Sequence, residues 1–568
     1  MIAEGSGMQW DAETDILVFG SGAAGMTAAL VGAHEGLRVI LCEKLTQIGG
    51  TTATSAGTLW IPNNSLAGAL GINDSFAEGS RYLTGEIGQA QRPALIHAFL
   101  ESGPKAVDYL QTHTDVQFDV ALKHPDYHPD APGGLPQGRA LTPKPFDGRS
   151  LGQDFMLIRP PRQTLTIFGG MMVGRREVPS LLRPFSSFSN FSYVARILLR
   201  HASDRLRYRR GTRLILGNAL VARFLRSLRK RNVPIWTNAA LTELVKENGC
   251  VVGAVVEVDG TARHVRARCG VVLATGGFPG KLGERAEFTS IPEVRSYAFP
   301  DSKGDGMRVA RSAGAAVEGA PLSPAWWTPV SVLKNPDGSE LLWAHHSLDR
   351  GKPGLVAVNS SGQRFVNEAC SYHDFVEAMI QSHKSVPSIP AFLVCDRRFL
   401  RRNGLGLIKP LYQRLQPYLH AGYLHRGGSI TELAQTIGVD AAGLEATIRK
   451  HNDYANTGED ADFQKGSGTY DLHMGDPAHL PNPCLGPIEH SPFFAVAVYP
   501  GVIGTCVGIK TDEHARVLDD EDNVIAGLYS SGNDMSSVMR GSYPGPGITL
   551  GPAITFAYRA VMNMVSKD

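Results

Sequence analysis

The 568-residue chain has only 7 cysteines, at positions 42, 250, 269, 370, 395, 484 and 506, and no two form a C-x-x-C pair. That spacing excludes a disulfide framework, a cysteine zinc site, a c-type haem and an iron–sulfur ligand set, so no metal is expected. Long hydrophobic runs are missing too: no apolar stretch reaches the ~18 residues needed to cross a bilayer. The opening MIAEGSGMQWDAETD has no basic-then-apolar signal pattern, and a reducing, cytoplasmic setting is expected. Charge of one sign is scarce overall. Lys and Arg number 56 against 54 Asp and Glu, a net +2 that implies no nucleic-acid partner. Glycine is in excess, 63 of 568 residues, about 11% where ~7% is usual. Such an excess suits tight turns and close backbone approach to a ligand.

Residues 15–50 read as strand, turn, helix, strand: DILVFG, SGAAG, MTAALVGAHEG closed by Gly36, and LRVILCEK. Gly20-Ser21-Gly22-Ala23-Ala24-Gly25 matches G-x-G-x-x-G, and Glu43 ends the following strand. Gly20 permits the turn, Gly22 lets a pyrophosphate approach the backbone, and Gly25 allows close helix–strand packing. The helix N-terminus faces the negative charge, and Glu43 can accept from a ribose hydroxyl. An acid there disfavours a 2′-phosphate. The next stretch, QIGGTTATSAGTLWIPNN (47–64), supplies Gly50, Thr51, Thr52, Ser55 and Gly57, small and hydroxyl-rich groups suited to wrapping a flat ring and its phosphates. It contains no histidine, so no His-linked covalent flavin is expected there. Further strand ends at CGVVLATGG (269–277) and AGLYSSGND (526–534) lie more than 200 residues away, which predicts a discontinuous nucleotide-binding domain.

The chain resembles the 3-ketosteroid Δ1-dehydrogenases, flavoproteins of the succinate dehydrogenase/fumarate reductase superfamily. The matching pieces are GSGAAGMTAAL, EK…GGTTATSAGTLWIPNN, DYHPDAPGG…GRALTPKPFDGR, VVLATGGF, GDGMRVARSAGA, RFVNEACSYHDF, GLYSSGND and YPGPGITLGPAITFAY, in one order across nearly the whole chain. The resemblance implies an α/β fold: a discontinuous Rossmann-like FAD-binding domain plus an inserted α+β catalytic domain that caps the flavin. The expected boundaries are 1–321 and 501–568 for the first, with an insertion at about 150–235, and 322–500 for the second. It implies non-covalent FAD, faced also by Lys44, Ala274, Thr275, Gly276, Asp305, Gly532, Asn533, Ile548 and Leu550. It implies removal of hydrogen from C1 and C2 of a 3-keto steroid, with or without a C17 side chain, and an external electron acceptor. Tyr543 and Gly547 match the binders of the C3 ketone, Tyr372 the base, and Tyr127 its assistant. His128 stands beside Tyr127, and the choice of assistant between them is open.

Elementary chemistry makes sense of these residue types. The C2 proton becomes acidic when negative charge builds on the ketone oxygen, and a phenol plus a fixed N–H aimed at that oxygen form an oxyanion site. Pro544 and Pro546 stiffen the approach, and Gly547 lies where a predicted helix from Ile548 begins. Tyr372 is the harder case. A phenol of pKa ~10 needs help to act as a base near neutrality. Tyr470 is read as structural or pocket-lining, Asn367 and Glu368 as braces, and Arg540 as a solvated surface residue.

From Arg196 to Arg231, 12 Arg or Lys residues face one acid, Asp204, interleaved with apolar residues. This predicts a helical hairpin, which could rest peripherally on the inner face of an anionic membrane or simply face water. Two rivals to the dehydrogenase reading stand. One is a fumarate-reductase-like enzyme acting on an α,β-unsaturated acid, separable by a dicarboxylate assay. The other is a flavoprotein that binds sterols or senses redox state without turnover.

Overall fold

The computed structural model describes residues 2–4, 8–174, 177–411 and 414–566. Residues 175 and 176 of the predicted insertion, and 1 and 5–7 of the opening stretch, lie outside these. The apolar run DILVFG forms most of the strand Ala12–Phe19, whose last four residues are buried on both faces, as a central parallel strand requires. It pairs in parallel with Val39–Cys42 on one side and with Thr261–Leu273 on the other. The last three residues of Thr261–Leu273 also pair in parallel with Val524–Ser530, so a C-terminal segment completes the N-terminal sheet.

The strand expected at 269–277 is in fact the end of one longer strand. Thr261–Leu273 pairs antiparallel with Cys250–Val258, breaks register between Ala267 and Gly270, and continues into the parallel layer. A β-bulge bends the chain there, which lets one strand serve both the meander and the nucleotide sheet. The helix Ala23–His34 packs between Leu216–Lys230 and Leu550–Val565. Its small residues, buried almost throughout, allow that close approach.

A second sheet is built on the long strand Phe493–Thr505, paired antiparallel with Ala325–Lys334 and Ala391–Asp396. It carries the helix Tyr372–His383 against Ala325–Lys334. The cavity lies between the two sheets.

The basic stretch does form two helices, Phe188–Arg205 and Leu216–Lys230, but they are unlike. The second is a core helix with ten buried residues, and its arginines are engaged: Arg223 donates to the carbonyls of Asp115 and Lys144, and Arg229 pairs with Asp154. Between them, Arg210 lies 4.5 Å from the Phe155 ring centroid and Arg213 pairs with Glu177. The first helix turns Arg196 and Arg205 to solvent, while its Arg200 pairs with Asp147. Residue spacing alone cannot distinguish an arginine in water from one turned back onto a neighbouring carbonyl.

Candidate active site

One cavity of about 720 Å³ runs between the sheets, lined at one end by the glycine-rich turn and at the other by tyrosines. Gly20, Gly22, Ala23, Ala24, Glu43, Lys44, Gly50, Thr51, Thr52, Ser55, Gly57, Ala274, Thr275, Gly276, Asp305, Gly532, Asn533 and Leu550 all reach the cavity wall. Gly25 does not. A Cβ there would sit 1.8 Å from the Gly20 carbonyl oxygen, so it holds helix to strand, the role its place in the motif gave it. Ile548, expected beside the cofactor too, is fully buried in the core two residues before the helix that starts at Leu550.

Glu43 is buried, with one carboxylate oxygen taking the Ser21 hydroxyl and the Ser21 N–H (3.3 Å) and the other the Leu45 N–H at 3.1 Å. Lys44 pairs with Asp305 at 2.6 Å. Asp534, unmarked in the sequence reading, ties the strand ends together: it accepts from the Thr275 hydroxyl and the Gly277 N–H, both at 2.9 Å. This end suits a dinucleotide. The turn needs Gly20 at φ +99°, where a Cβ would lie 2.1 Å from the Ala274 carbonyl oxygen. A Cβ at Gly22 would meet only the Thr52 hydroxyl, at 3.5 Å, so the open side of the turn faces the cavity.

At the other end three phenols from three distant segments form a chain. Tyr127 donates to Tyr372 and Tyr372 to Tyr543, each at 2.8 Å. The Tyr127 and Tyr543 rings stack at 5.3 Å and 14°, and Tyr470 meets Tyr127 edge-on at 5.2 Å. Tyr470 lines the cavity as well, so it is part of the wall and not only of the frame. Burial first, then the neighbouring phenols, push the protons of Tyr127, Tyr372 and Tyr543 well above the usual tyrosine range. Gly547 completes this wall at φ +105°.

The Tyr543–Gly547 turn is held by segments that the spacing of the motif does not reveal. The Pro544 carbonyl accepts from the Tyr127 N–H at 2.9 Å and the Tyr82 hydroxyl at 2.6 Å. Gly545 lies against the Trp60 indole, where a Cβ would come within 2.4 Å of its nitrogen. That indole donates to Asp126 at 2.7 Å, and Asp126 pairs with the buried Arg139, which also binds Asp74. Burial raises the Asp126 carboxyl to about 6 against the pull of Arg139.

His128 does not touch Tyr372. Its ring bridges Glu86 at 2.9 Å and Asp374 at 3.0 Å. Burial would lower its pKa, but bonds to the two carboxylates outweigh that and hold it at about 10, so it is a cation. Glu86 also accepts from the Ser542 hydroxyl at 3.3 Å. The clamp thus ties together the residues next to Tyr127 and Tyr543 and the turn that begins with Tyr372. Asn367 donates to Asp471 at 2.7 Å, and Glu368 pairs with Arg364 and Lys465 at 2.8 and 3.1 Å, behind the wall. Arg540 is corrected as well: it is buried and pairs with Glu318 at 3.1 Å rather than facing solvent. Among the described residues no cluster suited to a metal ion is present.

The model of the FAD binding domain family matches residues 15–550. The chain belongs to that family. It is an FAD-dependent oxidoreductase, 36% identical to the 3-oxosteroid 1-dehydrogenase of Mycolicibacterium smegmatis over 98% of this chain and 97% of that protein. It is 38% identical to the 4-oxocyclohex-2-ene-1-carboxylate 5-dehydrogenase of Sinomonas cyclohexanicum, over 96% of this chain and 92% of the relative. The 3-ketosteroid Δ1-dehydrogenase of Sterolibacterium denitrificans, solved with 1,4-androstadiene-3,17-dione, superposes with a TM-score of 0.90 at 35% identity. That match covers 98% of this chain and 100% of the other.

Proposed function

We propose that the protein removes the C1 and C2 hydrogens of a 3-keto steroid, turning a 3-keto-4-ene into a 1,4-diene. The observation that carries this reading is the phenol chain ending at Tyr543 beside Gly547. Tyr543 accepts from Tyr372, which leaves its own hydroxyl proton for the ketone oxygen, and the Gly547 N–H is the second donor. Charge building on that oxygen acidifies C2. Tyr372 takes the C2 proton as a phenolate, its own proton having been lost to solvent, and the Tyr127 hydroxyl that donates to it at 2.8 Å steadies the anion. The C2–H pair becomes the new C1=C2 double bond as hydride leaves C1. Bound FAD supplies the hydride acceptor, at N5, and an external acceptor must then remove the electrons. Anaerobic mixing of the holoenzyme with a panel of 3-keto steroids should bleach the flavin; no bleaching by any of them overturns the reading.

A second reading has the 38%-identical relative behind it. An oxocyclohexenecarboxylate offers the same ketone with an adjacent CH–CH pair, so the same residues would serve a single ring.

A peripheral contact with an anionic bilayer is proposed for the first basic helix and its flanks. Phe185, Phe188, Leu199 and Leu206 are 82%, 85%, 72% and 87% exposed, among the exposed Arg183, Arg196, Arg205 and Arg207. No helix among the described residues is long and apolar enough to cross a membrane. Flotation with anionic liposomes should be salt-sensitive and weakened by Phe188→Ser with Leu206→Ser; binding unchanged by both substitutions removes this surface from consideration.

A further inference from the structure

We propose that Arg162 binds a carboxylate carried by the substrate on the end remote from its reacting ketone. The true substrate is then a ring ketone that is also an acid. This rests on the reading that the phenols hold a ring ketone. Arg162 lines the same cavity. Its guanidinium lies 4.0 Å over the Tyr297 ring and donates to the Tyr297 carbonyl. Tyr297 meets His346 edge-on at 5.9 Å, and the His346 ring lies 4.6 Å from that of Tyr372. The cation is therefore two rings away from the base, on the phenol side of the cavity.

Of the cavity's arginines without a counter-charge, Arg308 is exposed and Arg162 is half-buried beside the phenols. The two acids on the cavity wall, Glu43 and Asp305, are engaged at the nucleotide end with Ser21 and Lys44. Among the described residues no carboxylate pairs with Arg162. Burial lowers its pKa, opposed only by Tyr297. A half-buried guanidinium with only a carbonyl and a ring beside it is costly unless a ligand supplies the anion. A neutral steroid would leave that cost in place, whereas a carboxylate matches the fork of donors.

His346 adds a second unused group. Its Nε2 is buried with no hydrogen-bond partner. Burial, then Arg350 and Arg162, push the imidazole down to about 3, so it is neutral and close enough to Arg162 to feel its charge. A carboxylate held by Arg162 would give this ring a partner as well. Phosphate of the cofactor is the competing anion, but the glycine turn and the helix beginning at Ala23 already provide for it at the other end.

The test uses holoenzyme and two acids, an oxocyclohexenecarboxylate and a 3-keto-4-ene steroid whose side chain ends in a carboxylate, each beside its methyl ester. Wild type should prefer at least one acid over its ester by tenfold or more in kcat/KM, and which acid wins sets the size of the substrate. In Arg162→Gln the acid-to-ester ratio should fall to about one through KM, with FAD content unchanged, and Arg162→Lys should restore part of it. Perturbation of the flavin absorbance gives Kd for acid and ester whether or not turnover follows. Equal affinity for acid and ester in wild type, an equal loss of both in Arg162→Gln, or loss of FAD from that variant each overturns the subsite. Bleaching by neutral steroids with no acid preference defeats the subsite alone; absence of bleaching by any ketone defeats the reaction.

Discussion

The two ends of the cavity are made in different ways. The nucleotide end is mostly backbone: a turn at Gly20, a helix N-terminus at Ala23, and one acid, Glu43, all within 24 residues of sequence. The phenol end is side chains from residues 127, 372, 470 and 543, none near another in the chain. The backbone turn has no room for an added atom at Gly20 or Gly25 but needs little support from afar. Side-chain sites accept isosteric change sterically yet depend on a distant scaffold, here Trp60, Tyr82, Arg139 and the His128 clamp.

That contrast can be broken in order of effect. Gly25→Ala forces a Cβ to 1.8 Å from the Gly20 carbonyl oxygen, so the helix must leave the strand. The purified variant should retain under about a tenth of its FAD and unfold earlier, as strain of this kind costs on the order of 1–3 kcal/mol or more. Absorbance at the flavin band reads this directly, and full FAD occupancy would show that the turn matters less than its geometry implies.

Tyr372→Phe and Tyr543→Phe should do the opposite. Turnover should fall about 10²–10⁴-fold with FAD still bound, the range for removing a general base or an oxyanion donor. Loss of FAD together with activity would erase the distinction between the ends. Activity within tenfold of wild type would mean that the phenol chain is scaffold.

Turnover should also climb with pH. Burial and the neighbouring phenols raise the pKa of Tyr372 above its usual 10, so below that value the phenolate fraction grows about tenfold per pH unit. A flat kcat profile between about pH 7 and 9 would exclude Tyr372 phenolate as the base in the limiting step.

The smallest effect concerns the clamp. The folded-state pKa of His128, about 10, lies above its ordinary 6.5. Its stabilisation is therefore complete below about 6.5 and is lost as pH rises through 10. The side chain is 40% exposed, which screens the pair. His128→Gln should lower Tm by about 1–2 °C at neutral pH and flatten its fall toward alkaline pH. It should also lower kcat a few-fold with KM little changed. A Tm profile with the wild-type slope would show that the clamp does not titrate there.

Much of this was open to reading in the chain. The glycine turn, its strand and helix and Glu43 are contiguous, and their physics is local. Tyr127, Tyr372 and Tyr543 could be named only through the resemblance. Their spacing, 245 and 171 residues apart, carries no geometric information. Arg540 and the arginines of the basic stretch misled for one reason: whether an arginine meets water or a buried acid depends on what packs over it. His128 illustrates the same point, since only the fold brings Glu86 and Asp374 to its two nitrogens.

The sequence by itself determined the nucleotide turn with its flanking strands and helix, and the stiff Pro-Gly-Pro-Gly run after Tyr543, because each rests on backbone freedoms or periodicities set by neighbours in the chain. The tertiary structure alone decided that three phenols share one hydrogen-bonded chain, that the strand ending at Leu273 serves two layers, and that Arg162 enters the cavity without a carboxylate. Those outcomes depend on distances between residues hundreds of positions apart, which are fixed when the two sheets close on the cavity.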